Sequence, residues 1–428
     1  MQIVRPALGI LAIVLLVTVS WAEAAAPAKA PAKTPAAGQA TAAAAAEWPS
    51  FRGGEHDGKS PDTGLLKEWP AEGPPLLWKA EGIGAGFSSV AVSGGKIYTS
   101  GDVGGKLTIF AFDMEGKNLW TVEHDQAWGG DHQGSRSTPT IDSGKLYILS
   151  GQGLLGCYDA ATGNRIWTRS MKEFGGAPGG WGYSESALVH GNAVFVTPGG
   201  KNCIVALNKT TGQPIWASTG VEMPAGYGSS IWITYRNVPM IVQGTGGGIT
   251  GVDARTGAAL FTNTWCQGNT ANCPNPAYED GYVFWANGYG KGGICLKLGA
   301  TGTRLTAEQA WTSREFDCHH GGYIIDNGYI YGNAGRGLAC LDLKTGQKKW
   351  SAQGVGKGSV IWADGMLYLF SENGGTVGLG TCSPDAFQLK GRFQVKGNGP
   401  SWAHPAVIGG RLYLRYDQNL YCFDVKAK

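Results

Sequence analysis

The stretch that decides the fold is DAATGNRIW, which runs from Asp159 to Trp167. The same phrase recurs as NKTTGQPIW at Asn208–Trp216, DARTGAALF at Asp253–Phe261 and DLKTGQKKW at Asp342–Trp350. A shortened copy, DMEGKNLW, ends at Trp120, and a stretched copy ends at Trp311. The closing aromatic residues fall about every 40–50 residues, a period typical of propeller blades or helical arrays rather than of one large globule.

Each part of the phrase has a physical role in a chain reversal. The Asp or Asn side chain accepts hydrogen bonds from backbone N–H groups two or three residues later, which tightens a turn. The glycine that follows the threonine supplies a positive φ, which other residues adopt only with strain. The aromatic residue then begins a new strand and offers a large apolar face to the neighbouring segment.

A second repeated element precedes most copies, namely a tight turn followed by a strand with alternating apolar residues. Examples are SGGKIYTS ending at Ser100, DSGKLYILS ending at Ser150 and IGGRLYLR ending at Arg415. Glycine at the turn with period-two apolar residues after it is a strong hairpin signal. Each period therefore contains about four short strands and no helix, and four antiparallel strands repeated radially form a β-propeller blade.

The aromatic residues of these hairpins indicate how many blades the chain forms. The corresponding positions are Tyr98, Tyr147, Phe195, a degenerate copy at Ile241, Phe284, Tyr331, Tyr368 and Tyr413. Trp78 precedes the first complete hairpin, so we expect the N-terminal strand to complete the sheet of the last blade. The predicted fold class is all-β, an eight-bladed β-propeller with four-stranded antiparallel blades. A seven-bladed ring is the alternative if the fourth or fifth blade is misread.

The N-terminal region has the features of an export signal. Arg5 marks a basic start, residues 7–19 are apolar, and Ser20 to Ala22 offer small residues for cleavage, which predicts a signal peptide over residues 1–22. An uncleaved anchor is the alternative, although the apolar run is shorter than the about 20 residues of a spanning helix. Residues 23–46 are rich in Ala, Pro and Lys and predict a disordered linker, followed by the propeller over 47–428. We expect a periplasmic or secreted protein without a stable membrane span after cleavage.

Charge and cysteine content limit the partners and the covalent structure. The net charge of +3 is too small to indicate a nucleic-acid partner. Among the nine cysteines, Cys157, Cys340 and Cys422 share one repeat position, which predicts small buried strand residues. Cys266 and Cys273 lie close together on a loop and are the best disulfide candidates, with separate thiols as the alternative.

Common catalytic and cofactor motifs are mostly absent from the sequence. Gly246, Gly248 and Gly251 match G-x-G-x-x-G, but the residues that follow do not predict a helix, so we reject a dinucleotide site. His319 and His320 are adjacent, and neighbouring residues of an extended strand point to opposite faces. Both would bind one metal only in a loop conformation, so we assign no metal ligands.

Aligning the blades on their hairpin aromatic residue identifies the residues that enter each innermost strand. They are Phe87, Arg136, Ser184, Glu185, Cys273, Pro274, His320, Lys357 and Trp402, with His404 two residues further on. Equivalent positions ring one mouth of the central channel, and long segments at 123–135, 170–183, 263–272 and 394–401 arise from the same face. A concave, aromatic mouth with convergent charges predicts a ligand site. We expect Glu185 and His320 to approach across it; the alternative is that these polar groups bond to one another and hold the blades together.

The D-x-x-T-G-x-x-x-W phrase with its hairpins resembles the tryptophan-docking repeat of quinoprotein dehydrogenases and of the pyrroloquinoline quinone (PQQ)-like propeller family, which includes the assembly lipoprotein BamB. Four segments resemble a secreted bacterial branch described as BamB-like or polyvinyl-alcohol-dehydrogenase-like. They are Trp48–Ser60, Cys318–Gly322, Lys357–Ser359 and Trp402–Arg415. The resemblance extends from Trp48 to the C-terminus and is specific for fold rather than for activity.

The resemblance implies two functions from different classes. A quinoprotein needs PQQ, Ca²⁺ and a carboxylate base; Arg136, Lys357, Trp402 and His404 would then bind the cofactor, and Glu185 or Asp317 would serve as base or ligand. The chain lacks the adjacent cysteine pair of the methanol-dehydrogenase type and a clustered set of Ca²⁺ ligands.

The leading hypothesis is therefore a non-catalytic, monomeric binding or scaffold module of the cell envelope. Its partner would be an envelope protein, a glycan or a small molecule at the channel mouth. A PQQ-dependent alcohol or sugar dehydrogenase is the alternative. A third hypothesis is a quinone-independent lyase or hydrolase that uses Glu185 and His320 as its catalytic acid and base.

Overall fold

Strands make up almost all regular structure in the computed structural model, which describes residues 1, 47–268, 271–302 and 304–428. The predicted signal peptide and linker lie outside the described residues, apart from Met1. The described part contains one short 3₁₀ helix, η1 (Met171–Phe174). Within these residues, no helix has the length and apolar character needed to cross a membrane.

Eight sheets follow one another along the chain, and each forms one blade. The first two strands are β1 (Lys59–Ser60) and β2 (Leu76–Ala80). Blade 1 contains β3 (Ala91–Ser93), β4 (Lys96–Val103), β5 (Lys106–Asp113) and β6 (Asn118–Gln126), and blade 2 contains β7 (Thr140–Asp142), β8 (Lys145–Leu149), β9 (Leu154–Asp159) and β10 (Arg165–Ser170). Blade 3 contains β11 (Leu188–His190), β12 (Ala193–Val196), β13 (Val205–Asn208) and β14 (Pro214–Ala217), and blade 4 contains β15 (Ile231–Tyr235), β16 (Val238–Thr245), β17 (Gly248–Asp253) and β18 (Ala259–Asn263).

The remaining strands form blades 5 to 8. Blade 5 contains β19 (Ala277–Glu279), β20 (Tyr282–Asn287), β21 (Gly292–Thr301) and β22 (Arg304–Ser313), and blade 6 contains β23 (Tyr323–Asp326), β24 (Tyr329–Ala334), β25 (Gly337–Asp342) and β26 (Lys348–Ala352). Blade 7 contains β27 (Gly358–Ala363), β28 (Met366–Ser371), β29 (Thr376–Thr381) and β30 (Leu389–Gln394), and blade 8 contains β31 (Ala406–Ile408), β32 (Arg411–Tyr416) and β33 (Asn419–Asp424). The predicted eight-bladed, all-β propeller is confirmed, and the seven-bladed alternative is wrong.

Within a blade, the repeated residues occupy one row across the sheet. In blade 2, Tyr147 of β8 is paired with Cys157 of β9, and Cys157 is paired with Trp167 of β10. Cys340 and Cys422 occupy the same row in blades 6 and 8, and all three cysteines are fully buried. The small thiol fits between two large rings, which confirms the prediction of small buried strand residues at this position.

The repeated phrase also joins each blade to the next. Trp167 of blade 2 donates its indole N–H to the carbonyl oxygen of Lys209 in blade 3, at 3.2 Å. Its ring packs on Gly212, where φ is +70° and a Cβ atom would lie 2.8 Å from the indole. The same donation from Trp78, Trp120, Trp216, Trp311 and Trp350 reaches Met114, Ala160, Ala254, Leu343 and Ser383. Glycine is required because the aromatic ring occupies the space of a side chain.

The hydrophobic core lies between adjacent blades, and the N-terminal strand closes the ring. Tyr147 of blade 2 shares one buried cluster with Val194 and Leu207 of blade 3. At the junction of the termini, β2 pairs with β33, with Trp78 opposite Cys422, so the N-terminal strand completes blade 8 as predicted. The sequence did not indicate β1, which is only two residues long and adds a parallel fifth strand to blade 7.

The N-terminal segment, defined here as residues 48–57, contacts the innermost strands of several blades. Trp48 bonds to Val92 of blade 1 in both directions at 2.8 Å, and Pro49 accepts from the backbone of Ile141 in blade 2 at 2.7 Å. Further along, Arg52 donates to the carbonyl oxygen of Val360 in blade 7 at 3.1 Å. The segment is therefore bonded to strands from separate blades and lies across the central channel.

Candidate functional site

One pocket of about 270 Å³ lies where the innermost strands begin. Its lining includes residues that come directly before these strands in every blade but the seventh: Phe87, Arg136, Ser184, Ser186, Ser229, Cys273, His320, Trp402 and His404. The N-terminal segment contributes Phe51. The structure therefore brings four of the predicted site residues, Arg136, His320, Trp402 and His404, to one mouth of the channel.

Three of the predicted long segments supply further walls of this pocket. His132 comes from segment 123–135, Trp181 from 170–183 and Ala271 from 263–272. The second segment begins with a capping box at η1, in which Ser170 and Glu173 bond reciprocally to each other's backbone N–H groups. This cap fixes the start of the loop that carries Trp181, whose ring lies 5.6 Å from that of Tyr227.

Trp402 is the centre of the aromatic wall. Its ring lies 4.6 Å from Phe87, 5.2 Å from His132 and 4.2 Å from His320, and the last pair is stacked. The indole nitrogen of Trp402 is buried and has no hydrogen-bond partner within the described residues. A buried N–H group normally has a hydrogen-bond partner, so this unsatisfied donor is unusual.

Arg136 lines the pocket, but its guanidinium donates several of its hydrogen bonds to backbone carbonyl oxygens of the protein. Nη1 donates to Gly134 at 2.6 Å, and Nη2 donates to Asp131 at 3.1 Å and His132 at 2.6 Å. Burial lowers the pKa of Arg136 to about 10, so the group stays charged at neutral pH. Its first role is to hold the loop that carries His132, while its charge faces the pocket.

His404 is fixed between two groups that define its protonation. Its Nδ1 lies 3.0 Å from Nη1 of Arg52, and its Nε2 lies 2.9 Å from the carbonyl oxygen of His320. Arg52 can only donate, so Nδ1 accepts and Nε2 carries the proton. Burial and the charge of Arg52 lower the pKa of His404 to about 3, which keeps the imidazole neutral. His404 therefore positions the backbone of His320.

Lys357 is not among the residues that line the pocket, but it contacts His319, which does line it. Its Nζ lies 3.1 Å from Nδ1 of His319 and 3.1 Å from Oε2 of Glu372, and the same oxygen lies 3.7 Å from Nδ1 of His320. Burial raises the pKa of Glu372, but His320 and Lys357 outweigh it and lower that pKa to about 2. Sequence reasoning missed Glu372, because it lies after β28 and not before an innermost strand.

The carboxylate of Glu185 does not line the pocket. Oε2 accepts from the backbone N–H of Thr197 at 2.7 Å, and Oε1 accepts from the hydroxyl groups of Thr197 at 3.0 Å and Ser230 at 3.3 Å. Burial raises the pKa of Glu185 to about 7. The neighbouring residues Ser184 and Ser186 line the pocket with His320, whereas the Glu185 side chain points between blades. Asp317 also lies outside the lining, where its carboxylate accepts from Gly290 at 2.8 Å.

His319 and His320 have the loop conformation that binding of one metal by both residues would require. Both side chains line the pocket, and their ring centroids are 3.6 Å apart. The reason is that residues 319–320 form a bend before β23 and not an extended strand. Cys273 lies beside them, and one potential ligand atom from each of the three residues lies within 4.8 Å of the other two.

The predicted disulfide between Cys266 and Cys273 is not formed. Both side chains are thiols. Cys266 is fully buried, and its sulfur lies 3.4 Å from Oδ1 of Asn272, whereas Cys273 is partly exposed at the pocket. The loop therefore directs its two cysteines to different surroundings, which proximity in sequence does not reveal.

The ring of docked tryptophans and the pocket at its mouth define a PQQ-like β-propeller. The chain belongs to the family described as outer membrane protein assembly factor BamB, whose model matches residues 105–352. No curated protein sequence matches the chain significantly.

Solved structures with the same fold differ in function. BamB from Moraxella catarrhalis is 16% identical with a TM-score of 0.59, over 82% of this chain and 98% of that one. A quinohemoprotein alcohol dehydrogenase from Pseudomonas putida HK5 is 12% identical with a TM-score of 0.57, over 89% and 80%. The computationally designed protein Ika8 is 13% identical with a TM-score of 0.57, over 82% and 100%. At these identities the likeness concerns the fold alone.

Proposed function

We propose that this protein is a non-catalytic binding member of the BamB family that acts in the cell envelope, and that it holds a small ring-shaped ligand in the mouth pocket. The observation that carries the proposal is the aromatic lining of a single pocket by side chains from separate blades and loops. The envelope location is supported by the family description and by the signal-like sequence of residues 1–22.

The character of the lining favours a ring-shaped ligand. Phe87, Trp181, Tyr289 and Trp402 present ring surfaces, and aromatic side chains bind flat or cyclic molecules through stacking and edge contacts. A volume of about 270 Å³ is close to the lower end of ligand pockets, about 300 Å³, and suits one or two fused rings.

The residues present do not fit PQQ with Ca²⁺. The described lining contains no Asp or Glu side chain, although Ca²⁺ requires oxygen ligands and a quinoprotein requires a carboxylate base. Glu185 bonds to Thr197 and Ser230 outside the pocket, and Glu372 pairs with Lys357. Because Thr197 and Ser230 bond to the Glu185 carboxylate outside the pocket lining, the arrangement argues against its use with His320 as an acid–base pair in a lyase or hydrolase.

Saturation-transfer NMR on the full chain tests the proposal. The probes are a panel of monosaccharides, free nucleobases and aromatic carboxylates, and separately PQQ with and without Ca²⁺. We expect at least one ring class to bind, and Trp402→Ala to reduce its affinity at least tenfold because the aromatic wall is lost. Leu119→Ala, at an exposed position on the outer strand β6, is the matched control and should bind like the wild type.

Two results would contradict this function. If no ring class binds, or if binding survives Trp402→Ala, the mouth is not the ligand site. If PQQ binds only with Ca²⁺, the dehydrogenase alternative replaces the binding-protein proposal. The location is tested separately by fractionating cells that express the full chain: we expect a periplasmic or secreted protein beginning after Ala22, and full-length protein retained in the cytoplasm would contradict export.

A further inference from the structure

We propose that Cys273, His319 and His320 form a binding site for a thiophilic metal ion, Zn²⁺ or Cu⁺, on one wall of the mouth pocket. The proposal goes beyond the binding of a ring-shaped ligand and does not depend on it. Cys273 precedes β19 in blade 5, and the histidines precede β23 in blade 6, so two neighbouring blades supply the donors.

The geometry places three donor groups around one point. One sulfur and two imidazole nitrogens lie within 4.8 Å of one another. A tetrahedral ion with bonds of about 2.0–2.3 Å holds such atoms about 3.3–3.8 Å apart, so rotations of these side chains would complete the site. All three side chains face the pocket, which gives an ion a route from solvent and leaves a fourth coordination position open to it.

The donor set selects the class of metal. A thiolate with two imidazoles suits Zn²⁺ and copper, whereas Ca²⁺ and Mg²⁺ require oxygen ligands. Cys273 is a free thiol and does not form a disulfide with Cys266, so its sulfur can bind a metal ion. Three protein ligands with an open fourth position are typical of zinc sites that bind an exchangeable molecule.

The surrounding charges can orient the ligands. Nδ1 of His320 is buried, has no hydrogen-bond partner among the described residues and faces the carboxylate of Glu372 at 3.7 Å. Metal-bound histidines commonly donate their other ring N–H to a carboxylate, which would leave Nε2 of His320 for the ion. Lys357 contacts both His319 and Glu372, so it can release the histidine and keep its ion pair when a metal binds.

Metal titration of the full chain, stripped with a chelator and kept reduced, tests the site. Zn²⁺ is titrated by calorimetry, Co²⁺ is used as its spectroscopic substitute, and Cu⁺ is measured in competition with a chromophoric chelator. We expect one ion per chain and a cobalt–thiolate absorption band. Cys273→Ser and His319→Gln should weaken binding at least about 100-fold, since loss of outer-shell partners alone costs about 10–100-fold. The controls Cys382→Ser and His190→Gln, which lie outside the cluster, should bind like the wild type.

The outcomes separate this site from the proposed function. The proposal is overturned if neither Zn²⁺ nor Cu⁺ binds stoichiometrically, or if the cobalt–thiolate band persists in Cys273→Ser. Thermal unfolding of each variant shows whether a loss of metal binding comes from misfolding. If Cys273→Ser does not fold, His319→Gln provides the second test of the site. The metal is titrated without any ring-shaped ligand, so stoichiometric metal binding supports this site even if no ring class binds, and ring binding without metal binding supports only the proposed function.

Discussion

Replacing Glu185 with Gln should make the propeller more stable at neutral pH. The carboxyl group is 2% exposed, and burial raises its pKa from the ordinary 4.5 to about 7. This difference corresponds to about 3 kcal/mol between the protonated and the ionised forms, since one pKa unit is about 1.4 kcal/mol. Glutamine resembles the protonated acid, because its NH₂ group can donate to the hydroxyl oxygens of Thr197 and Ser230.

The sign of the pH dependence follows from proton linkage. An unfolded Glu185 ionises near pH 4.5 and the folded one near pH 7, so the folded state holds more protons between these values. The contribution to stability is therefore complete below pH 4.5 and is lost as the pH rises through about 7. Relative to Glu185→Gln, the wild type should lose up to about 3 kcal/mol of unfolding free energy across this window.

Urea unfolding at several pH values between 4 and about 8 measures the effect. The difference between variant and wild type isolates Glu185 from the other titrating groups, and Glu222→Gln, at an exposed carboxylate, serves as the control with an expected difference near zero. If the stability curves of Glu185→Gln and wild type run parallel, burial does not govern this carboxyl group. If the variant is less stable at every pH, the bonds from Thr197 and Ser230 stabilise the ionised form.

Two further substitutions test the contacts between neighbouring blades by urea unfolding. Gly212→Ala should cost about 1–3 kcal/mol more than Gly94→Ala, because both glycines have positive φ but only the first would place a Cβ atom 2.8 Å from a docked indole; equal losses would contradict the docking role. Arg415→Lys should cost about 2–3 kcal/mol, because this buried guanidinium of blade 8 donates to Gly84 and to Ser100 in β4 of blade 1, and a lysine ammonium cannot reach both acceptors in the same geometry. An unchanged stability would show that Arg415 does not close the ring.

The fold could be predicted because its determinants are local and repeated. The turn at Asp159, the glycine at Gly163 and the aromatic at Trp167 act within nine residues, and the structure repeats their contacts from blade to blade. The strand β1 was missed because a strand of two residues is too short to show an alternating pattern of apolar and polar residues. Its pairing with blade 7 depends on the path of the N-terminal segment, which is a tertiary property.

The pocket could be predicted only as a set of positions and not as a set of side-chain directions. Arg136 and Trp402 were found because position before an innermost strand fixes which mouth a residue approaches. That position does not determine the side-chain rotamer, so Glu185 was expected in the pocket but bonds elsewhere. The direction of His319 depended on whether its segment formed a strand or a loop, and the sequence did not decide between them. Phe51 enters through the N-terminal segment, for which no blade alignment exists.

The docked tryptophans and the residues of the proposed metal site lie in different parts of each blade. Docked tryptophans such as Trp167 lie on outermost strands, and their contacts join one blade to the next. Cys273 and His320 precede innermost strands of neighbouring blades, and their potential ligand atoms lie within 4.8 Å of each other on one wall of the mouth pocket. Because neighbouring blades converge there, residues 46 or 47 positions apart in sequence, one repeat period, meet in space. Substitutions of the Cys273 or His320 side chain therefore leave the docked tryptophan contacts between blades in place.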